Sequence, residues 1–109
     1  MKLLTKANFA ALAANVDVAE MDRKPVVKFF APTGSATWLI SEIEEDGDTM
    51  FGLADLGMGF PEIGSVSLKE LSEVKGAFGL GIERDYHFTA DKTLAEYADE
   101  ARAAGRIEA

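Results

Sequence analysis

The chain has 109 residues, 48% of them hydrophobic, 28% charged and 9% aromatic, which is the composition of one globular domain and argues against a second full domain and against disorder of the whole. It has no cysteine, so a disulfide framework and thiolate zinc sites are excluded, and a reducing cytoplasmic setting fits. Nineteen acidic against eleven basic residues give a net charge of −8; because nucleic-acid affinity rests on cations that neutralise phosphates, direct DNA or RNA binding is not expected.

Thr5 precedes an Ala- and Leu-rich run, and the spacing of Phe9, Leu12 and Ala13 predicts an N-terminal helix over Lys6–Ala14 capped by Thr5. A polar stretch follows to Lys24. Pro25 then introduces Val26, Val27, Lys28, Phe29 and Phe30, a β-branched and aromatic run that predicts a strand over 26–31. Pro32–Ser35 is a turn, and a second strand runs over 36–43, with Trp38, Ile40 and Glu42 on one face and Thr37, Leu39, Ser41 and Ile43 on the other. Asp46, Gly47 and Asp48 close the next hairpin before a third strand over 49–54. Turns this short permit only antiparallel neighbours.

Gly57–Pro61 is a glycine-punctuated loop, Glu62–Val66 is a candidate fourth strand, and Ser67 with Glu70 has the capping-box spacing of a short helix reaching about Lys75. Glycines 76, 79 and 81 interrupt the chain again. The alternation of Ile82, Arg84, Tyr86 and Phe88 with Glu83, Asp85 and His87 predicts a last strand over 82–88. Asp91 or Thr93 then caps a C-terminal helix to about Ala104, ended by Gly105. The expected fold is α+β: an antiparallel meander of three to five strands with an N-terminal, a short middle and a C-terminal helix, in a single domain over 1–109. The opening apolar run is too short for a signal-peptide core, and the longest uncharged stretch, Phe29–Ser41, is 13 residues, against the ~20 that a membrane-spanning helix requires. A cytoplasmic protein is expected.

Several short segments, taken in order, resemble one bacterial family: Lys2–Lys6; Val27–Phe30 with Pro32, Thr37 and Trp38; Phe51–Leu53 with Leu56 and Gly57; Pro61–Gly64; Ser67, Leu68 and Leu71; and Gly79, Leu80, Glu83, Arg84 and Asp85. The pattern is similar to the domain of unknown function 2958. The resemblance covers about residues 1–90, with 91–105 as a helical extension. It implies small bacterial proteins, commonly encoded on plasmids, phages and integrative elements near replication, partitioning and antirestriction genes. It brings no activity and no catalytic residues.

Two sets of residues remain as candidates. Glu83, Asp85 and His87 would share one face of the last strand, within reach of a cation or a proton-transfer role, although a metal site would need further ligands. Arg84 would fall on the apolar face, where a guanidinium requires a partner, either Glu62 or Glu42. Glu62, Arg84, Asp85 and His87 are therefore the candidates for the alternative reading, an enzyme or an anion- or metal-binding site; no metal or other cofactor is expected, since the glycines match no phosphate-loop or dinucleotide spacing. The second set is acidic. Residues 29–74 hold nine acidic residues and one basic, and Glu42, Glu44, Glu45, Asp46 and Asp48, with Asp55, form a candidate face for a partner protein with a basic surface. Phe60 and Phe78, in glycine-rich loops, are the candidate aromatic members of the same contact surface. The favoured expectation is thus a non-enzymatic accessory protein of mobile elements that binds a protein through this face; one specific form is an antirestriction or anti-CRISPR inhibitor competing for a DNA-binding surface.

Overall fold

The computed structural model describes residues 2–109. Thr5 caps α1 (Lys6–Ala14) with a reciprocal box: its hydroxyl accepts from the Asn8 amide while Asn8 Oδ1 accepts from the Thr5 amide. Two single 3-10 turns, Asn15–Asp17 and Glu20–Asp22, lead to β1 (Val27–Phe30), β2 (Thr37–Ile43), β3 (Thr49–Asp55) and β4 (Glu62–Ser67). Then come α2 (Leu68–Glu73), β5 (Glu83–Arg84) and α3 (Leu94–Ala104). All pairings are antiparallel, in the order β4-β3-β2-β1-β5. The fold is α+β, as the periodicity predicts, with N-terminal, middle and C-terminal helices. Among the described residues no helix is long and apolar enough to cross a membrane.

The sheet carries a core on each face. Leu3, Leu4, Leu12 of α1 and Leu71 of α2 pack with Val27, Phe29, Trp38, Ile40, Ile43 and Met50 on one face. Leu94, Tyr97, Ala98 and Ala101 of α3 cover Leu39 and Leu53 on the other. A sheet buried on both sides explains why its central strands read as nearly continuous apolar runs.

One irregularity overturns the expected faces of β2. The β2–β3 register slips between Ile40 and Glu42, leaving Ser41 as a bulge. Past the bulge the alternation inverts: Ile43 joins Trp38 and Ile40, and Glu42 moves to the opposite face, across from Phe51. Ser41 is fully buried, its hydroxyl donating to the Phe51 carbonyl at 3.2 Å while its own carbonyl accepts from the Asn15 amide group at 2.7 Å. Gly52 sits beside the bulge because nothing larger fits: a Cβ there would lie 2.0 Å from the Leu39 carbonyl oxygen.

The expected strand over 82–88 shrinks to two residues. Beyond Arg84 the Asp85 carboxylate accepts from the His87 amide at 2.9 Å, an Asx turn that redirects the chain. Alternation alone does not distinguish a strand from such a turn.

Candidate functional site

The antiparallel order fixes which loops share an end of the sheet. The β2–β3 turn, with Glu44, Glu45, Asp46 and Asp48, lies at one end. The β1–β2 turn, the β3–β4 loop and the loop before β5 lie at the other. At about 3.3 Å per residue, the seven residues of β3 separate the two by about 20 Å. The acidic turn and the aromatic loops therefore do not adjoin, contrary to the expectation of a single contact surface.

Four of the six residues of the expected acidic face are occupied with structural tasks. Glu42 is nearly buried and accepts from Arg23 at 2.7 Å, and Arg23 also donates to the carbonyls of Val16 and Val18. Asp48 accepts from the Ser67 hydroxyl at 2.7 Å and from the Lys69 amide at 2.8 Å, holding the start of α2. Asp55 is only 3% exposed, and its two oxygens accept from the amides of Gly57 and Ile107. Asp55 leaves almost no surface for a partner. Asp46 is exposed, but it accepts from the Thr49 hydroxyl and from the amides of Asp48 and Thr49, and these bonds, the hydroxyl's first, hold its carboxyl below the ordinary aspartate value. Glu44 and Glu45 have no side-chain hydrogen bond or ion pair among the described residues.

Arg84 is half-buried, as expected, but its partner differs. Its guanidinium donates to the Leu3 carbonyl and lies 4.9 Å from the Tyr86 ring centre; among the described residues no carboxylate pairs with it. Glu62 is out of reach because it stands on β4, at the other edge of the sheet. Four strand spacings of ~4.8 Å put the two edges about 19 Å apart. Glu42 is bound to Arg23. The four-residue cluster of Glu62, Arg84, Asp85 and His87 is therefore dispersed. Asp85 and His87 do share a polar cleft of ≈ 360 Å³ with Lys28, Asp91, Lys92 and Tyr97. There the Tyr97 hydroxyl donates to Asp91 at 2.8 Å, which lowers the Asp91 carboxyl, while burial raises the Tyr97 phenol. These groups hold the entry to α3. Among the described residues no group of three potential ligands is placed to hold a metal ion.

The loop end has a different character. Phe78 is 95% exposed and Phe60 78%, with Met58 at 74% and Leu56 also exposed. Three short connections sit side by side. A Cβ on Gly57 would meet the Ser35 hydroxyl, and one on Gly76 would meet the Thr33 hydroxyl at 2.8 Å, so the β1–β2 turn lies between the other two loops. Phe78 has φ 61°, ψ 18°, a left-handed conformation that costs a bulky side chain about 1–2 kcal/mol. The Lys75–Gly81 bridge and the Gly76 amide bond to the Leu80 carbonyl close the loop that holds it there. The sequence pointed to Phe60 and Phe78 but passed over Leu56 and Met58. Their signal is the alternation of large apolar residues with Gly57 and Gly59, both at positive φ, which lifts side chains off a loop too short to have its own core.

A protein-family model matches residues 3–108, under the description "Protein of unknown function (DUF2958)". The match runs past residue 90 and takes in α3, consistent with that helix forming one side of the core. No curated protein and no solved structure matches the chain.

Proposed function

The chain belongs to the DUF2958 family of proteins of unknown function, and we propose that it is a non-enzymatic, cytoplasmic protein-binding module that docks a partner through its loop end. The observation that carries this reading is Phe78: an aromatic residue fully in solvent, held in a strained conformation by a closed loop. Folding alone gives no reason for it, since its ring contacts almost nothing. Met58 and Phe60 extend the same apolar end, and exposed apolar clusters on a charged surface mark binding sites. Phe60 and Phe78, on either side of the β1–β2 turn, together expose on the order of 300 Å², well within the area of an interface of ordinary size.

The net charge of −8 favours a basic partner and fast, salt-sensitive association. Glu44 and Glu45 serve that steering from the far end of the sheet. In the narrower form of the reading, the partner is a DNA-binding complex of a restriction or CRISPR system countered by a mobile element; its support is the acidic bias of residues 29–74.

The test is affinity capture from cells of the native host. A partner retained by the parent should be lost with Phe78→Ser and with Met58→Ser combined with Phe60→Ser, and kept, with slower association, by Glu44→Lys combined with Glu45→Lys. Retention by both loop variants would refute the loop-end reading. Loss with the acidic pair alone would return the contact to the β2–β3 turn.

A further inference from the structure

We propose that the open edge of β4 takes up an extended segment of a basic partner chain as a sixth strand, with one arginine or lysine of that segment lying in the hollow beside Trp38. The proposal does not rest on the loop-end reading. Among the described residues β4 pairs only with β3, so every second residue turns its N–H and C=O away from the sheet. Natural edges are usually blunted by lysines, prolines or bulges. β4 has none of these: it keeps an unbroken register over six pairs, and its one charged residue is Glu62.

Gly64 is the informative residue. It lies opposite Gly52, whose lack of a side chain is dictated by the Leu39 carbonyl. No such demand acts on Gly64. A Cβ there would meet no atom within 4 Å, and its φ is not positive. Glycine weakens a strand, and where nothing inside the protein requires it, it marks close approach from outside. The two glycines floor a hollow of ≈ 170 Å³ bounded by Trp38, Ile40, Val66 and Glu62. A cavity of ~150 Å³ holds a benzene-sized group, so this one suits a single side chain.

The lining selects that side chain. Trp38 and Ile40 offer apolar walls to an aliphatic stem, and the Glu62 carboxylate at the rim has no ion-pair partner among the described residues. A cation on a flexible stem satisfies both. A second copy of this chain fits poorly, because its own β4 carries no cation and it would add a further −8 charge.

Trp38 is the sole tryptophan, so its fluorescence reports occupancy directly. The probes are end-blocked peptides of sequence Thr-Val-Thr-Xaa-Thr-Val-Thr, with arginine, leucine or glutamate at Xaa. The arginine peptide should shift the Trp38 emission and bind about tenfold more tightly than the glutamate peptide. Gly64→Val, which fills the hollow while favouring the strand, should weaken the arginine peptide about tenfold. Glu62→Gln should remove its advantage over the leucine peptide, and Phe78→Ser should change nothing, which separates this site from the loop end. Equal affinity for arginine and glutamate peptides, full binding by Gly64→Val, or no shift up to about 1 mM would overturn the proposal. So would sedimentation showing a dimer that Ser65→Pro disrupts, since β4 would then be closed by another copy.

Discussion

Replacing Phe78 should separate strain from contact. At 95% exposure the ring buries on the order of 10 Å² of its ~200 Å², which at ~25 cal/mol per Å² contributes about 0.3 kcal/mol. Its left-handed backbone costs about 1–2 kcal/mol in any residue with an ordinary Cβ. Phe78→Ala keeps that cost and loses almost no contact, so its stability should match the parent within about 0.5 kcal/mol. Phe78→Asn tolerates the conformation and should gain about 1 kcal/mol; Phe78→Gly should gain less, because glycine also frees the unfolded chain. The assay is urea denaturation, supported by a melting-temperature rise of about 4–8 °C per kcal/mol for a domain near this size. Partner capture should fall equally in all three variants. An alanine variant destabilised by more than about 1 kcal/mol would mean that the ring packs on the protein. Equal stabilities for the asparagine and alanine variants would mean that the loop stores no strain there. Either result would remove the argument that the residue is held out for a partner.

Asp55→Ala should cost about 2 kcal/mol by leaving the Gly57 and Ile107 amides unpaired, and hydrogen exchange at Ile107 should accelerate; an unchanged rate would refute the tether. Gly52→Ala should cost about 3 kcal/mol, because the strand must yield to a Cβ seated against a carbonyl, whereas Gly64→Ala should stay within about 0.5 kcal/mol; thermal melts decide both. The acid side follows from Asp46, Asp91 and Glu96, all held below their ordinary values: Asp46 chiefly by the Thr49 hydroxyl, Asp91 by the Tyr97 hydroxyl and Glu96 by the Thr93 amide. With folded values below unfolded ones, their stabilisation is present above about pH 4 and is lost as pH falls through the folded values. Urea midpoints should drop between about pH 5 and pH 2, and Asp46→Asn with Asp91→Asn should flatten that drop; an unaltered slope in the double variant would refute the assignment.

The local signals in the sequence identified most of the elements. Thr5, Ser67 and Thr93 each cap the helix they precede, and Gly105 ends α3 at φ 79°. The first four strands fall within a residue of their expected bounds. The errors arose where distant chain decides. The bulge at Ser41 depends on Asn15 and on the bare backbone of Gly52, so the switch of Glu42 and Ile43 between faces was invisible in a pattern of period two. The His87 amide's hydrogen bond to the Asp85 carboxylate ended a strand whose alternation looked intact. Strand order placed Glu62 and Arg84 at opposite edges, and composition carries no information about edges. For the candidate site, Phe60 and Phe78 could be singled out because glycine-rich loops cannot bury them. The separation of both from the acidic turn required the register.

The tethering of the segments around Leu3 and Ile107 has a kinetic consequence. The hairpins from β1 to β4 join near neighbours in sequence, so their loops close at small entropic cost and the meander can form early. Arg84 reaches back across 81 positions to Leu3, and Asp55 reaches forward across 52 to Ile107. These contacts close only after the sheet exists to present the side chains. The two straps should therefore be the last parts to fasten and the first to open, exchanging their amides through local fluctuations while the central strands exchange only on global unfolding.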